Sequence, residues 1–441
     1  MKPLVLAVLL AAGAARAETD FARPDIKEWK LPNGLSVVYL GVHKAPVVAV
    51  QVWYHVGSKD EPRNLRGSAH MFEHMMFKGT THVPPDRHLA MIQAIGGVGN
   101  AFTREDMTGY QNRVPRQYLD FALELEAERM RGLLFRKEMI DTEREVVKEE
   151  KRQRIDNSPV GRAVERFRQM AFTLHPYGWS PAGFAEDLDR MRPADLKAFY
   201  DSYYQPNNAV VIVVGDTTED ETRASIEKWF AKIPAGGAPP RPSAVASEPK
   251  QVKTRRQVVD PSQVGIVIGG YKIPGAASAD QFALAVLGNI LSGGESSRLF
   301  QRIVRKDKVG VYAAGEANAF EELGLFFVVG IFLSPEQQQA LEAALLDEVA
   351  RLQKDPVGPE ELAKAKNQLT AQFVFGLQGV EGLATQIGQS KLMRGDAKAW
   401  LGDYEAYQAV TADDVQRVAK QYLAPENLTM VVIPPAVGGA K

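Results

Sequence analysis

Apolar and polar positions along this chain follow two periods, and the changes of period mark out its elements. Trp29 to Tyr39 (WKLPNGLSVVY) sets an Asn33-Gly34 turn between apolar runs, and Pro46 to Val56 (PVVAVQVWYHV) is apolar almost throughout. Both read as strands of one sheet, the second largely buried. Gly57 to Arg66 is polar and loop-like, and beyond it the pattern becomes helical up to Gly79, a residue suited to end a helix. A second helix near His88 to Ile95 leads through a glycine turn into two extended runs, Asn100 to Thr103 and Thr108 to Val114. Charged residues among them predict an edge or solvent-facing strand.

Two helical stretches follow, Gln117 to Leu134 and Glu138 to Arg154. At ~100° per residue the second places Glu143, Val146, Val147 and Glu150 on one face with Met139, and Arg144, Glu145, Lys148, Lys151 and Arg152 on the other. Two carboxylates thus lie on an apolar stripe, a costly arrangement unless they are paired or bind a metal. His175 to Gly178 is a turn cluster, and Ala194 to Tyr204 followed by Pro206 to Val214 reads as helix, turn and buried strand.

Pro234 to Lys250 (PAGGAPPRPSAVASEPK) has no periodicity and reads as a linker between a domain over residues 18–233 and one over 251–441. The second half repeats the first. A shift of 219 residues lays Ala194–Val214 on Asp413–Ile433 and matches Tyr203 with Tyr422, Pro206 with Pro425 and Asn208 with Asn427. Such a repeat predicts a duplicated domain. At the same offset Glu143 and Glu150 fall on Leu362 and Leu369, which argues that the acidic stripe faces inward. Strands, helices and this repeat together predict an α+β fold of two homologous domains, each a mainly antiparallel sheet packed by helices.

Composition narrows the class. With 441 residues, 45% hydrophobic and 24% charged, the chain is of ordinary globular type. Its net charge of -1 gives no electrostatic footprint for nucleic acid, so no nucleic-acid partner is expected. Met1 to Ala17 has one Lys, a short apolar run and Ala15 and Ala17 placed for A-x-A cleavage, the pattern of a secretory signal peptide. No later stretch is long and apolar enough to span a membrane, so the mature chain is expected to be exported and soluble, in a bacterial periplasm. Cysteine is absent, so any metal must be held by nitrogen and oxygen.

The chemistry lies in Gly67 to Gly79, GSAHMFEHMMFKG. On a helix His70, Glu73, His74 and Phe77 fall at i, i+3, i+4 and i+7, on one face. Imidazoles at i and i+4 can chelate zinc, and a carboxylate beside them can serve as general base. The order is HxxEH, the reverse of HExxH. Only seven histidines occur in the chain, so such a string arises by chance in ~1% of comparable sequences.

With these residues in view, the chain from Trp29 to Ile433 resembles the pitrilysin/insulysin family of inverted-motif zinc metallopeptidases. It is most similar to the short two-domain branch that includes the mitochondrial processing peptidase. The resemblance implies one Zn2+ per chain, held by His70, His74 and a Glu of an ExxxVxxE motif, here Glu150, with Glu143 as the motif's other acid. Glu149 is a rival third ligand, disfavoured because it lies about 110° from the Glu143/Val146/Val147 stripe, within which Glu150 lies. Glu73 would be the catalytic base, and Glu143 would assist by orienting a ligand or the substrate. Asn100, Ala101, Phe102 and Thr103 match the family's NAxT edge strand, where substrate backbone adds as a strand. Arg305 and Tyr312, seven residues apart, match a pair that reaches substrate from across the chamber. The function implied is cleavage of peptides or unfolded segments in an enclosed chamber; the alternatives are a non-catalytic scaffold and a peptide-binding subunit of the same fold. Because such chambers use four domains, a second chain is expected, either a copy of this one or a related non-catalytic partner.

Overall fold

Two sheets organise the chain in the computed structural model, which describes residues 24–241 and 247–436. Residues 1–17, expected to be a signal peptide, and residues 242–246 of the expected linker lie outside the described residues. The first sheet contains β1 (Lys27–Lys30), β2 (Ser36–Gly41), β3 (Val47–Tyr54), β4 (Val98–Thr103), β5 (Thr108–Pro115) and β6 (Ala209–Gly215), in the order β1-β2-β6-β3-β5-β4. The second contains β7 (Arg255–Val258), β8 (Gly265–Pro274), β9 (Tyr312–Ala319), β10 (Leu323–Phe332) and β11 (Leu428–Ile433), in the order β7-β11-β8-β10-β9. Without β1 the two orders coincide. Each sheet has one parallel pair, β2 with β6 and β7 with β11, and every other pairing is antiparallel.

The α+β class and the duplication read from the sequence are therefore present, down to single bonds. The Asn208 carboxamide donates to the Tyr203 carbonyl at 2.8 Å, and the matched Asn427 donates to the Tyr422 carbonyl at 2.8 Å. Each bond closes the turn between a helix, Pro193–Tyr203 or Ala412–Tyr422, and the central strand after it.

β3 and β6 are buried along nearly their whole length, so the first sheet needs cover on both faces. One face packs on helices of its own half, with Phe72, Leu123, Ile140 and Val147 in the core. The other is covered from the second half. Helix Val380–Arg394 sets Val380, Ala384 and Ile387 against Val38, Ala49, Trp53 and Ile212. In return, helix Pro159–Ala171 of the first half packs Ala163, Phe167 and Ala171 on Ile266, Ile268, Val431 and Ile433 of the second sheet. Each half thus supplies a helix to the other's sheet.

Two local expectations change. The Glu143 helix, Lys137–Lys151, buries Ile140, Glu143, Val147 and Lys151, whereas Val146 is 45% exposed. The buried line is narrower than the expected stripe, and it includes a lysine because its ammonium is paired with Asp156 at 2.9 Å and Glu165 at 3.6 Å. The HxxEH helix ends at Met75, before Gly79, whose φ of 112° instead serves the turn beyond it.

Candidate metal centre

The HxxEH helix, Ser68–Met75, packs against helix Lys137–Lys151, and the site forms between them. Glu150 Oε2 lies 3.2 Å from His74 Nε2 and 3.6 Å from His70 Nε2. His70, His74 and Glu150 each offer one ligand atom, all within 4.8 Å of one another, and they form the one such group of His, Asp or Glu among the described residues. Two imidazole nitrogens and one carboxylate oxygen at this spacing suit zinc with a position left open. Glu149, the rival, points elsewhere: its Oε1 accepts from Gln153 Nε2 at 2.7 Å and it pairs with Arg152.

Around the cluster the charges are arranged to set protonation. Burial and the neighbouring His74 hold His70 down at about 4, so its ring is neutral at pH 7, as metal binding requires. Glu143 is buried, with Oε2 3.2 Å from His74 Nδ1 and Oε1 2.8 Å from Lys78 Nζ. Burial opposes its charge, but the bonds from His74 and Lys78 prevail and hold it below the usual carboxylate range. An ionised Glu143 can only accept, so His74 carries a proton on Nδ1, which leaves Nε2, on the side of Glu150, as the nitrogen that can release its proton to bind a metal. For His74 itself burial opposes protonation, and Glu143 with Glu150 outweighs it, so its pKa is raised.

Glu73 stands beside the cluster and outside it. Its carboxyl is raised by burial, against the Thr103 hydroxyl and His74, which favour the ionised form. The strand that carries Thr103, β4, packs against the HxxEH helix. Asn100, Ala101, Phe102 and Thr103 all lie in β4, which among the described residues pairs with β5 alone and so ends the sheet as an edge. Tyr312 opens β9, the edge of the second sheet, and is half exposed. The Arg305 guanidinium is exposed and pairs with Glu295 at 2.9 Å. Neither residue belongs to the metal-type cluster.

Three neighbours are not singled out by the sequence. Lys78 holds Glu143, Arg154 Nη1 lies 2.6 Å from the second oxygen of Glu150, and Glu61 touches the start of the HxxEH helix. The i+4 spacing of Glu150 and Arg154 could have pointed to their pair; for Glu61, within a polar loop, no periodicity exists to read.

Residues 36–181 match the family model described as insulinase (peptidase family M16), and residues 190–369 match that of the peptidase M16 inactive domain. The zinc protease PqqE of Helicobacter pylori is 32% identical over 432 residues, covering 97% of each chain. A Streptomyces coelicolor protein named uncharacterized zinc protease SCO5738 is 28% identical over 422 residues, covering 93% of this chain and 90% of that one. The crystal structure of a protease from Helicobacter pylori superposes with a TM-score of 0.89 at 32% identity, over 93% of this chain and all of that one. The periplasmic protease PqqL of Escherichia coli shares the fold at 21% identity and a TM-score of 0.74, with 93% of this chain matching 48% of that one. Two sheets of one topology, an HxxEH helix and a downstream glutamate brought to its histidines accompany these matches, and the chain belongs to the insulinase family of peptidases, M16.

Proposed function

We propose that this chain is an exported zinc endopeptidase that cleaves peptides or unfolded segments held in a chamber between domains, in a bacterial periplasm. The observation that carries the reading is the convergence of His70, His74 and Glu150 from two helices, with Glu73 beside them and outside the ligand set. One Zn2+ per chain, held by those three side chains, would polarise the scissile carbonyl and acidify the attacking water.

The protein's own groups do the rest. Glu73 takes a proton from the water at its carboxylate and passes it to the leaving amide nitrogen, work for which a carboxyl raised by burial is suited. Glu143 keeps His74 in one tautomer and one orientation. The free edge of β4, Asn100 to Thr103, pairs with substrate main chain and holds it across the site, which accepts many sequences because backbone atoms make the bonds.

In this reading residues 18–233 form the catalytic domain and 251–441, reached through 234–250, a substrate-binding domain that contributes Arg305 and Tyr312. A match to about half of the PqqL chain supports pairing of two chains, as homodimer or with a related non-catalytic partner, to complete the chamber. Zinc content measured alongside turnover of a quenched fluorescent peptide tests the proposal. A chain that binds zinc and cleaves fits; one that binds neither zinc nor peptide is a scaffold, and one that binds peptide without hydrolysis is a binding subunit.

A further inference from the structure

Glu61 lies in the loop before the HxxEH helix and is 5% exposed. Its two carboxylate oxygens accept three bonds: Oε1 from the Ala69 backbone N–H at 2.8 Å, and Oε2 from the Gly67 N–H at 2.9 Å and the Trp179 indole N–H at 3.3 Å. Gly67 is the residue that starts the helix, it has a φ of 99°, and it has no side chain with which to cap. Two of the leading N–H groups that a helix start leaves unsatisfied are therefore closed by a residue six to eight positions upstream. Ala69, one of the two, immediately precedes His70.

The clamp continues on the far side. Trp179 Nε1 also donates to the Ser58 carbonyl at 3.2 Å, and the Arg66 guanidinium sits 3.9 Å over the Phe184 ring and 2.5 Å from Asp187. The segment from Trp179 to Met191 then reaches the other ligand-bearing helix, where Arg144 donates to the Leu188 carbonyl at 2.9 Å and the Met191 carbonyl at 2.7 Å. Arg144 is the neighbour of Glu143. One bracket thus ties the start of the histidine helix to the glutamate helix, independently of any metal.

We infer that Glu61 is a positioning residue for the metal centre: it fixes the start of the HxxEH helix so that His70 and His74 meet Glu150 before an ion arrives. The inference rests on the metal reading above. All three hydrogen-bond partners of Glu61 are N–H donors, the set that an ionised carboxylate satisfies, although burial pulls its carboxyl up to about 8. A glutamine there has one acceptor oxygen for two donor positions and must turn its NH2 group toward an N–H.

The test compares wild type, Glu61→Gln and Trp179→Phe, each freed of metal and reloaded. Zn2+ affinity is measured by chelator competition, and the visible spectrum of the Co2+ form reports ligand geometry. Glu61→Gln is expected to lose roughly 10–100-fold in affinity and to change the Co2+ spectrum, the scale found when groups that orient metal ligands are removed. Trp179→Phe, which takes away one donor and leaves the carboxylate, should move both readouts the same way by a smaller factor. A purely structural role predicts a lower melting temperature with affinity and spectrum unchanged in the folded protein, and that result overturns the inference. If Glu61→Gln fails to fold, Trp179→Phe decides alone. A wild-type chain that binds no Zn2+ overturns the metal reading itself, whereas normal wild-type binding with unaltered variants overturns only the role of Glu61.

Discussion

Glu143 lies 3.2 Å from the Nδ1 of His74, on the opposite side of the ring from Glu150, which lies 3.2 Å from Nε2. One imidazole is thus held between two carboxylates, one at each ring nitrogen. Replacing Glu150 by Gln should remove most bound zinc, and Glu143→Gln should weaken binding by roughly 10–100-fold because the charge that fixes the tautomer is lost. Glu149→Gln should leave zinc content at the wild-type value. Metal analysis of the three purified variants checks the order, and zinc loss in Glu149→Gln with retention in Glu150→Gln would reverse the assignment.

Glu73 is expected to be needed for turnover and not for metal. Glu73→Gln should bind zinc as wild type does and lose ~10²–10⁴ in kcat, the range for removal of a general base. Zinc-loaded Glu73→Gln that cleaves a quenched peptide at the wild-type rate would remove the residue from the mechanism.

The exchanged helices predict joint unfolding. A Cβ at Gly388, in helix Val380–Arg394, would meet Ile212 at 2.7 Å and Trp53 at 2.9 Å in the first half. Gly388→Val should therefore cost ~1–3 kcal/mol through overpacking. Because each sheet is covered partly by the other half, calorimetry of this variant should show one lowered transition. Two separated transitions, with only the second half shifted, would show that the halves unfold independently.

Asp106 gives a pH signature at the contact between the halves. It accepts from the Tyr177 hydroxyl at 2.5 Å and from the Glu321 N–H at 3.0 Å, and burial raises it from 3.8 to about 6. Between about pH 4 and 6 the folded chain binds this proton more tightly than the unfolded chain, so the contribution of Asp106 to stability falls as pH rises through that window and is level above it. Urea unfolding of wild type and Asp106→Asn should show the difference between them falling by about 3 kcal/mol across the window. A difference independent of pH would reject the assignment.

Pairing of chains is tested by mixing. A Glu73→Gln chain and an Arg305→Ala, Tyr312→Phe chain, each inactive alone, should regain peptide cleavage together if one chain's Arg305 and Tyr312 serve the other's zinc site. Absence of recovery after confirmed exchange of chains would place both elements of a site in one chain, and full activity in a sedimenting monomer would reject pairing.

What the sequence determined by itself was whatever repeats over a few residues or over half the chain. The i, i+3, i+4 spacing of His70, Glu73 and His74 fixes a common face because helix geometry is local. The 219-residue repeat fixes two copies of one topology because like sequences fold alike, and the leucines matched to Glu143 and Glu150 marked those acids as inward-facing; Leu362 and Leu369 do pack against the second core. Tertiary structure alone decided the remainder. Val146 faces outward and Lys151 inward because the packing of the neighbouring helices, and partners as distant as Glu165, select which part of a broad stripe is buried. The exchange of helices between halves follows from sheets with two apolar faces, and no pattern within a strand says which helix covers the second face. Glu61 reads as one more acid in a polar loop. Only the fold brings it beneath the first turn of the HxxEH helix, where unpaired N–H groups and a buried indole make a carboxylate the group that fits.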